Sequence, residues 1–110
     1  MSTNLYAIYF ASGEDFERAR EVVVTARIAT TGLHSEAALR LEVFNWHDEE
    51  LLRLVIDAGS KAGRTMLRIL TALLDYEIGV ERFVVCPSSQ HGSPGEPDLV
   101  KRWKRGERAA

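Results

Sequence analysis

Apolar and polar positions follow one another in several rhythms along this chain, and each rhythm predicts an element. Leu5 to Ala11 reads Leu-Tyr-Ala-Ile-Tyr-Phe-Ala, a short run rich in aromatic and branched side chains. That pattern predicts a strand covered on one face or on both. Ser12 follows as a helix N-cap, with Glu14 and Asp15 filling the first turn. Phe16, Ala19, Val22, Val23 and Ala26 then recur at helical spacing. A helix is expected from about Glu14 to Ala29, ended by Gly32. The consecutive valines Val22, Val23 and Val24 count against it, because β-branched side chains lose rotamer freedom in a helix. From Leu39 to Phe44, Leu39, Leu41 and Val43 alternate with Arg40, Glu42 and Phe44. This is the period of a strand with one buried face.

The longest pattern runs from about His47 to Glu77. At about 100° per residue, Leu51, Leu52, Val55, Ile56, Ala58, Ala62, Met66, Leu67, Ile69, Leu70, Leu73 and Leu74 fall in one arc of about 180°. Glu50, Arg53, Asp57, Ser60, Lys61, Arg64, Arg68, Thr71 and Asp75 fall opposite, and Leu54 is the apolar exception. Asn45 is the expected cap, with Asp48 three residues on as a short capping box. Asp48, Glu49 and Glu50 then complement the helix macrodipole, so they need no catalytic role. The apolar phase holds through Gly59, Ser60 and Gly63. One continuous helix is therefore expected, despite about 1 kcal/mol against it per glycine. Gly79 stops it, and Val80 to Cys86 reads as a third strand. The expected fold class is α/β or α+β: a small sheet of about three strands packed against two helices, the second long and at a dimer or partner interface.

A helix of about 30 residues would span roughly 45 Å. A globule of this size has a diameter of about 34 Å, so the helix would overhang its own body. Its apolar arc is also wider than the ~100° that one core requires. The small residues Ala58, Gly59, Ala62 and Gly63 would admit a close crossing. The expected interface residues are Ile56, Gly59, Ala62, Gly63, Met66, Leu67, Leu70 and Leu74. Two readings stand side by side: the arc is filled by the domain's own first helix, or part of it meets another chain, with a symmetric homodimer the commonest form.

Composition narrows the classes. The chain has 110 residues, 45% of them hydrophobic and 27% charged, which fits one globular domain. A net charge of −2 is too small to draw the whole body to nucleic acid or a membrane. Cys86 is the single cysteine, so no intrachain disulfide can form, and a reducing compartment is favoured. Met-Ser-Thr-Asn lacks the features of a signal peptide, and no apolar run approaches the ~20 residues of a membrane span. The expected location is cytoplasmic. The expected divisions are a globular domain over 1–86, a Pro/Gly/Ser linker over 87–97 and a basic tail over 98–110.

Candidate chemistry is thin. Gly59-Ser60-Lys61-Ala62-Gly63-Arg64-Thr65 resembles a scrambled phosphate loop, but its lysine is misplaced and the segment falls inside the expected helix. Cys86 has no arginine in the following Pro87-Ser88-Ser89-Gln90-His91-Gly92, so an inert thiol is expected. His34, His47 and His91 are too scattered to hold a metal. No catalytic residue, metal ligand or cofactor site is expected. Lys101, Arg102, Trp103, Lys104 and Arg105 interleave basic and aromatic character, which suits an acidic partner or nucleic acid. The leading expectation is a small non-enzymatic regulatory or adaptor protein. It would bind another protein, such as a transcription regulator or an enzyme, and modulate its activity or oligomeric state. The alternative is a small nucleic-acid-binding protein that uses the basic tail.

Overall fold

The computed structural model describes residues 5–38 and 45–88. Strand β1 (Leu5–Phe10) leads into helix α1 (Gly13–Leu33), then β2 (Asn45–Asp48), β3 (Arg53–Asp57), helix α2 (Lys61–Glu77), a 3-10 turn (Val80–Arg82) and β4 (Phe83–Ser88). The sheet order is β2-β3-β1-β4, and every neighbouring pair is antiparallel. Each helix therefore links two strands that enclose a third: β3 lies between β1 and β2, and β1 lies between β3 and β4. Two βαβ units interlocked in this way form the split βαβ, or ferredoxin-like, topology. The α+β class expected from the sequence is what forms, with four strands where about three were expected.

Period 2 divides the sheet residues between its faces. Ile8, Phe10, Leu54 and Ile56 point toward the helices and join Phe16, Ala19, Val22, Ala26, Leu70 and Leu74 in the main core. Phe10 and Phe16 meet edge to face at 6.1 Å, and His47 stands edge-on to Phe16 at 6.2 Å. Ala7, Tyr9, Ala11 and Val55 form a second apolar cluster on the other face, with Leu5, Val84 and Cys86 against it. Both faces of β1 are thus buried, which explains its unbroken apolar run.

Helix α1 begins where its sequence signal places it. The Ser12 hydroxyl oxygen accepts from the Asp15 amide at 3.1 Å. The Asp15 carboxylate in turn accepts from Arg82 at 2.7 Å and from the Ser12 hydroxyl at 3.0 Å, tying the start of α1 to the approach to β4. The helix continues through Gly32 and ends at Leu33, one residue beyond the expected stop. At the other end of the chain, Gly79 takes φ 94° where α2 gives way to the 3-10 turn, a conformation open to glycine.

The continuous helix from His47 to Glu77 does not form. Its first third is the β2–β3 hairpin, and α2 is 17 residues, about 25 Å long, within the span of its own domain. Asn45 and Asp48 belong to a strand and not to a helix cap. The Asp48 carboxylate accepts from the amides of Glu50 and Leu51, and Leu52 takes φ 50°. Asp48, Glu49 and Glu50 therefore make a tight turn. The physical reason for the misreading lies in β3. Leu54 and Ile56 are buried on one face and Val55 on the other, and a strand buried on both faces has no alternation to distinguish it from a helix segment. Ser60 is the true cap of α2, accepting from the Gly63 amide at 2.9 Å.

The strand expected over 39–44 lies outside the described residues. The strand expected over Val80–Cys86 starts three residues later, after the 3-10 turn, and runs on through Pro87 to Ser88. Pro87 is accommodated because β4 is the outer strand of the sheet. The remainder of the expected linker and the tail lie outside the described residues.

Candidate functional site

The eight residues expected at an interface are placed by this fold, and most are enclosed by their own chain. Ala62, Met66, Leu70 and Leu74 form the inner stripe of α2 and are fully buried, as is Ile56 in β3. Met66 and Ala62 contact Val23 of α1, and Leu70 and Leu74 lie in the main core. Leu67 is half-buried and Gly59 is exposed in the β3–α2 turn. Gly63 is the point of closest approach between α2 and the end of β3: a Cβ there would overlap the Asp57 carbonyl oxygen. Ala58, Ala62 and Gly63 thus serve packing within the domain, while Gly59 and part of Leu67 stay open to solvent. Lys101, Arg102, Trp103, Lys104 and Arg105 lie outside the described residues.

Besides Tyr76 on α2, Val80 in the 3-10 turn and Val85 on β4, exposed apolar side chains line one side of α1. Val24 is 59% exposed, and Ile28 and Leu33 are each 69% exposed. Val24, Ile28 and Thr31 lie at i, i+4 and i+7 and share one row of the helix. Thr25, Ala29 and Gly32, all exposed, form the next row. Arg27 is the one charged residue between Val22 and Leu33. Upstream the same outer face is charged and net acidic, with Glu14, Glu17 and Glu21 beside Arg20. The buried stripe of Phe16, Ala19, Val22, Ala26 and Thr30 lies on the opposite side. The second half of α1 is thus apolar or uncharged on both sides, whereas a helix packed against a single core carries charge on its outer face. This patch was missed in the sequence because only the inner stripe was counted. The signal was present in the third valine, Val24, and in the near absence of charge from Val22 to Leu33.

Other chemistry is sparse among the described residues. No group of three or more His, Cys, Asp or Glu side chains could hold a metal ion, and no helix is long and apolar enough to cross a membrane. Cys86 is a free, half-buried thiol on the sheet face away from the helices. Burial pushes its pKa up, with the Arg53 charge pulling weakly the other way; both its location and this direction suit a protonated thiol. His34 bonds Thr65 at 2.8 Å and links the end of α1 to α2. Arg18 and Glu77 join the two helices at 2.7 Å, and this carboxylate raises the Arg18 pKa. The Gly59–Thr65 segment does follow a strand and open a helix, contrary to its expected mid-helix position. Its lysine still occupies the wrong place for a phosphate loop.

Comparisons with protein-family models, curated proteins and solved structures found no match to this chain. The split βαβ topology serves many unrelated functions and does not choose among them.

Proposed function

We propose that this chain is a non-enzymatic protein-binding domain of the regulatory or adaptor kind, and that it binds through the outer face of α1. The observation that carries the reading is the exposed, uncharged double row Val24-Ile28-Thr31 and Thr25-Ala29-Gly32. The partner this face fits first is a second copy of the chain. An uncharged patch is complementary to itself, as a two-fold interface requires. Two α1 helices crossing antiparallel near Ile28 would also carry their acidic first halves to opposite ends, away from each other. A reducing, cytoplasmic setting accords with the free thiol of Cys86.

The patch is small. From Val24 to Leu33 the helix rises about 14 Å, and a face of that length covers on the order of 300 Å². Stable complexes bury about 800 Å² on each partner, so α1 alone supports a weak, reversible association. Sedimentation equilibrium of the full chain tests this. A monomer–dimer equilibrium is expected, and Val24→Asp with Ile28→Asp should abolish it while far-UV circular dichroism and the melting temperature hold. A strictly monomeric parent chain at every concentration contradicts the reading, as does a dimer indifferent to both substitutions.

A further inference from the structure

The geometry points to a second, separate site: a pocket at the outer side of α2 that takes a small organic anion with one phosphate or carboxylate head and an apolar body. The pocket has a volume of about 200 Å³ and is lined by Tyr6, Ala58, Arg64, Leu67 and Arg68. Arg64 and Arg68 stand one turn apart on α2, share a row and both line the opening. Tyr6, Ala58 and Leu67 supply the apolar wall.

The charge arrangement sets these two arginines apart. Arg18, Arg20, Arg53 and Arg82 each stand beside a carboxylate. Arg64 and Arg68 have no carboxylate partner among the described residues; the Arg64 side chain donates to the Gly59 carbonyl oxygen at 3.5 Å. Lys61, one turn earlier on the same side, is likewise unpaired with any described carboxylate. Three cations thus follow one side of α2 without a carboxylate partner among the described residues, on a chain whose net charge is −2. They also stand in the first half of α2, while Asp75 and Glu77 close its last turn. Lys61 and Arg64 fall in the first turn, where the helix macrodipole disfavours cations. Guanidinium groups are strong, orientation-selective partners for an oxyanion, and a hollow of this size, below that of drug-sized sites, suits only a small ligand.

The test is a titration of the full chain with phenyl phosphate, benzoate and inorganic phosphate, followed by amide NMR shifts. Saturable binding of phenyl phosphate or benzoate in the millimolar range or tighter is expected, with shifts at Ala58, Arg64, Leu67 and Arg68. Whichever of the two binds more tightly names the head group. Inorganic phosphate, lacking the apolar body, should bind several-fold more weakly. Arg64→Gln with Arg68→Gln should weaken binding by about tenfold or more, with the melting temperature unchanged because both side chains are exposed. Absence of saturation with both organic anions, equal binding of inorganic phosphate, or affinity unaffected by the double substitution overturns the assignment. The site is independent of α1, so the Val24→Asp and Ile28→Asp variants should titrate as the parent chain does.

Discussion

Replacing Gly63 by alanine distinguishes the folded architecture from the long helix that the sequence pattern suggests. In an uninterrupted helix, a mid-helix glycine is a weakness, and alanine would stabilise by about 1 kcal/mol. In this fold Gly63 lies in the first turn of α2, where the new methyl would overlap the Asp57 carbonyl oxygen and crowd Ala58. The obstacle is backbone at the end of a strand held on both sides by the sheet, so it cannot rotate away. Overpacking of this kind costs about 1–3 kcal/mol, and the upper half of that range applies where backbone must move. After the helix propensity is subtracted, Gly63→Ala should destabilise by about 1–2 kcal/mol. Urea unfolding followed by circular dichroism reads this as a lower midpoint with an unchanged slope. Gly32→Ala is the control, because nothing lies within 4 Å of a Cβ there; it should be neutral or stabilising by up to about 1 kcal/mol. The reasoning fails if Gly63→Ala is as stable as the parent chain or more so.

Three further outcomes follow from the packing and the ionisable groups. Leu70→Ala removes a fully buried side chain from the main core and should cost about 2–5 kcal/mol in chemical denaturation; a change below about 1 kcal/mol would mean that this stripe is not core. Arg82→Ala leaves the largely enclosed Asp15 carboxylate without its cation and should cost about 1–2 kcal/mol, discounted from the usual charged hydrogen-bond value because Arg82 is a third exposed. For Cys86 the folded thiol titrates above its unfolded value because burial disfavours the thiolate. Its contribution to stability is therefore complete below the unfolded pKa and lost as pH rises through the folded one. Stability measured across that alkaline range should fall less steeply in Cys86→Ala than in the parent, and equal slopes would refute the linkage.

Much of the fold was legible in the sequence, for reasons that can be named. Ser12, Glu14 and Asp15 announced α1 because a cap hydroxyl and early acids satisfy the same orphan amides in any context. Gly79 announced the end of α2 because few other residues accept its conformation. The hairpin of β2 and β3 was hidden because Leu51, Leu52, Val55, Ile56 and Ala58 fit a helical wheel by coincidence. The clue against it was Leu54, the apolar residue on the wrong arc, whose burial beside Val55 and Ile56 is natural in a strand covered on both faces. The burial of most of the expected interface residues has a related reason. The wide apolar arc is not surplus surface: α2 and β3 share it between the main core and the contact with Val23. The row of exposed apolar residues lies on α1, whose mixture of inner and outer apolar residues blurs its amphipathic pattern. In sequence Arg64 and Arg68 are only the polar side of a helix, and the fold brings them beside Tyr6.

A dilution series of amide NMR spectra bears most directly on the claim that α1 is the surface of association. From millimolar to low-micromolar chain, concentration-dependent shifts are expected at Val24, Thr25, Ile28, Thr31 and Gly32, with Met66, Leu70 and Leu74 constant. Spectra that do not change with dilution, or changes centred on α2 instead, would contradict it.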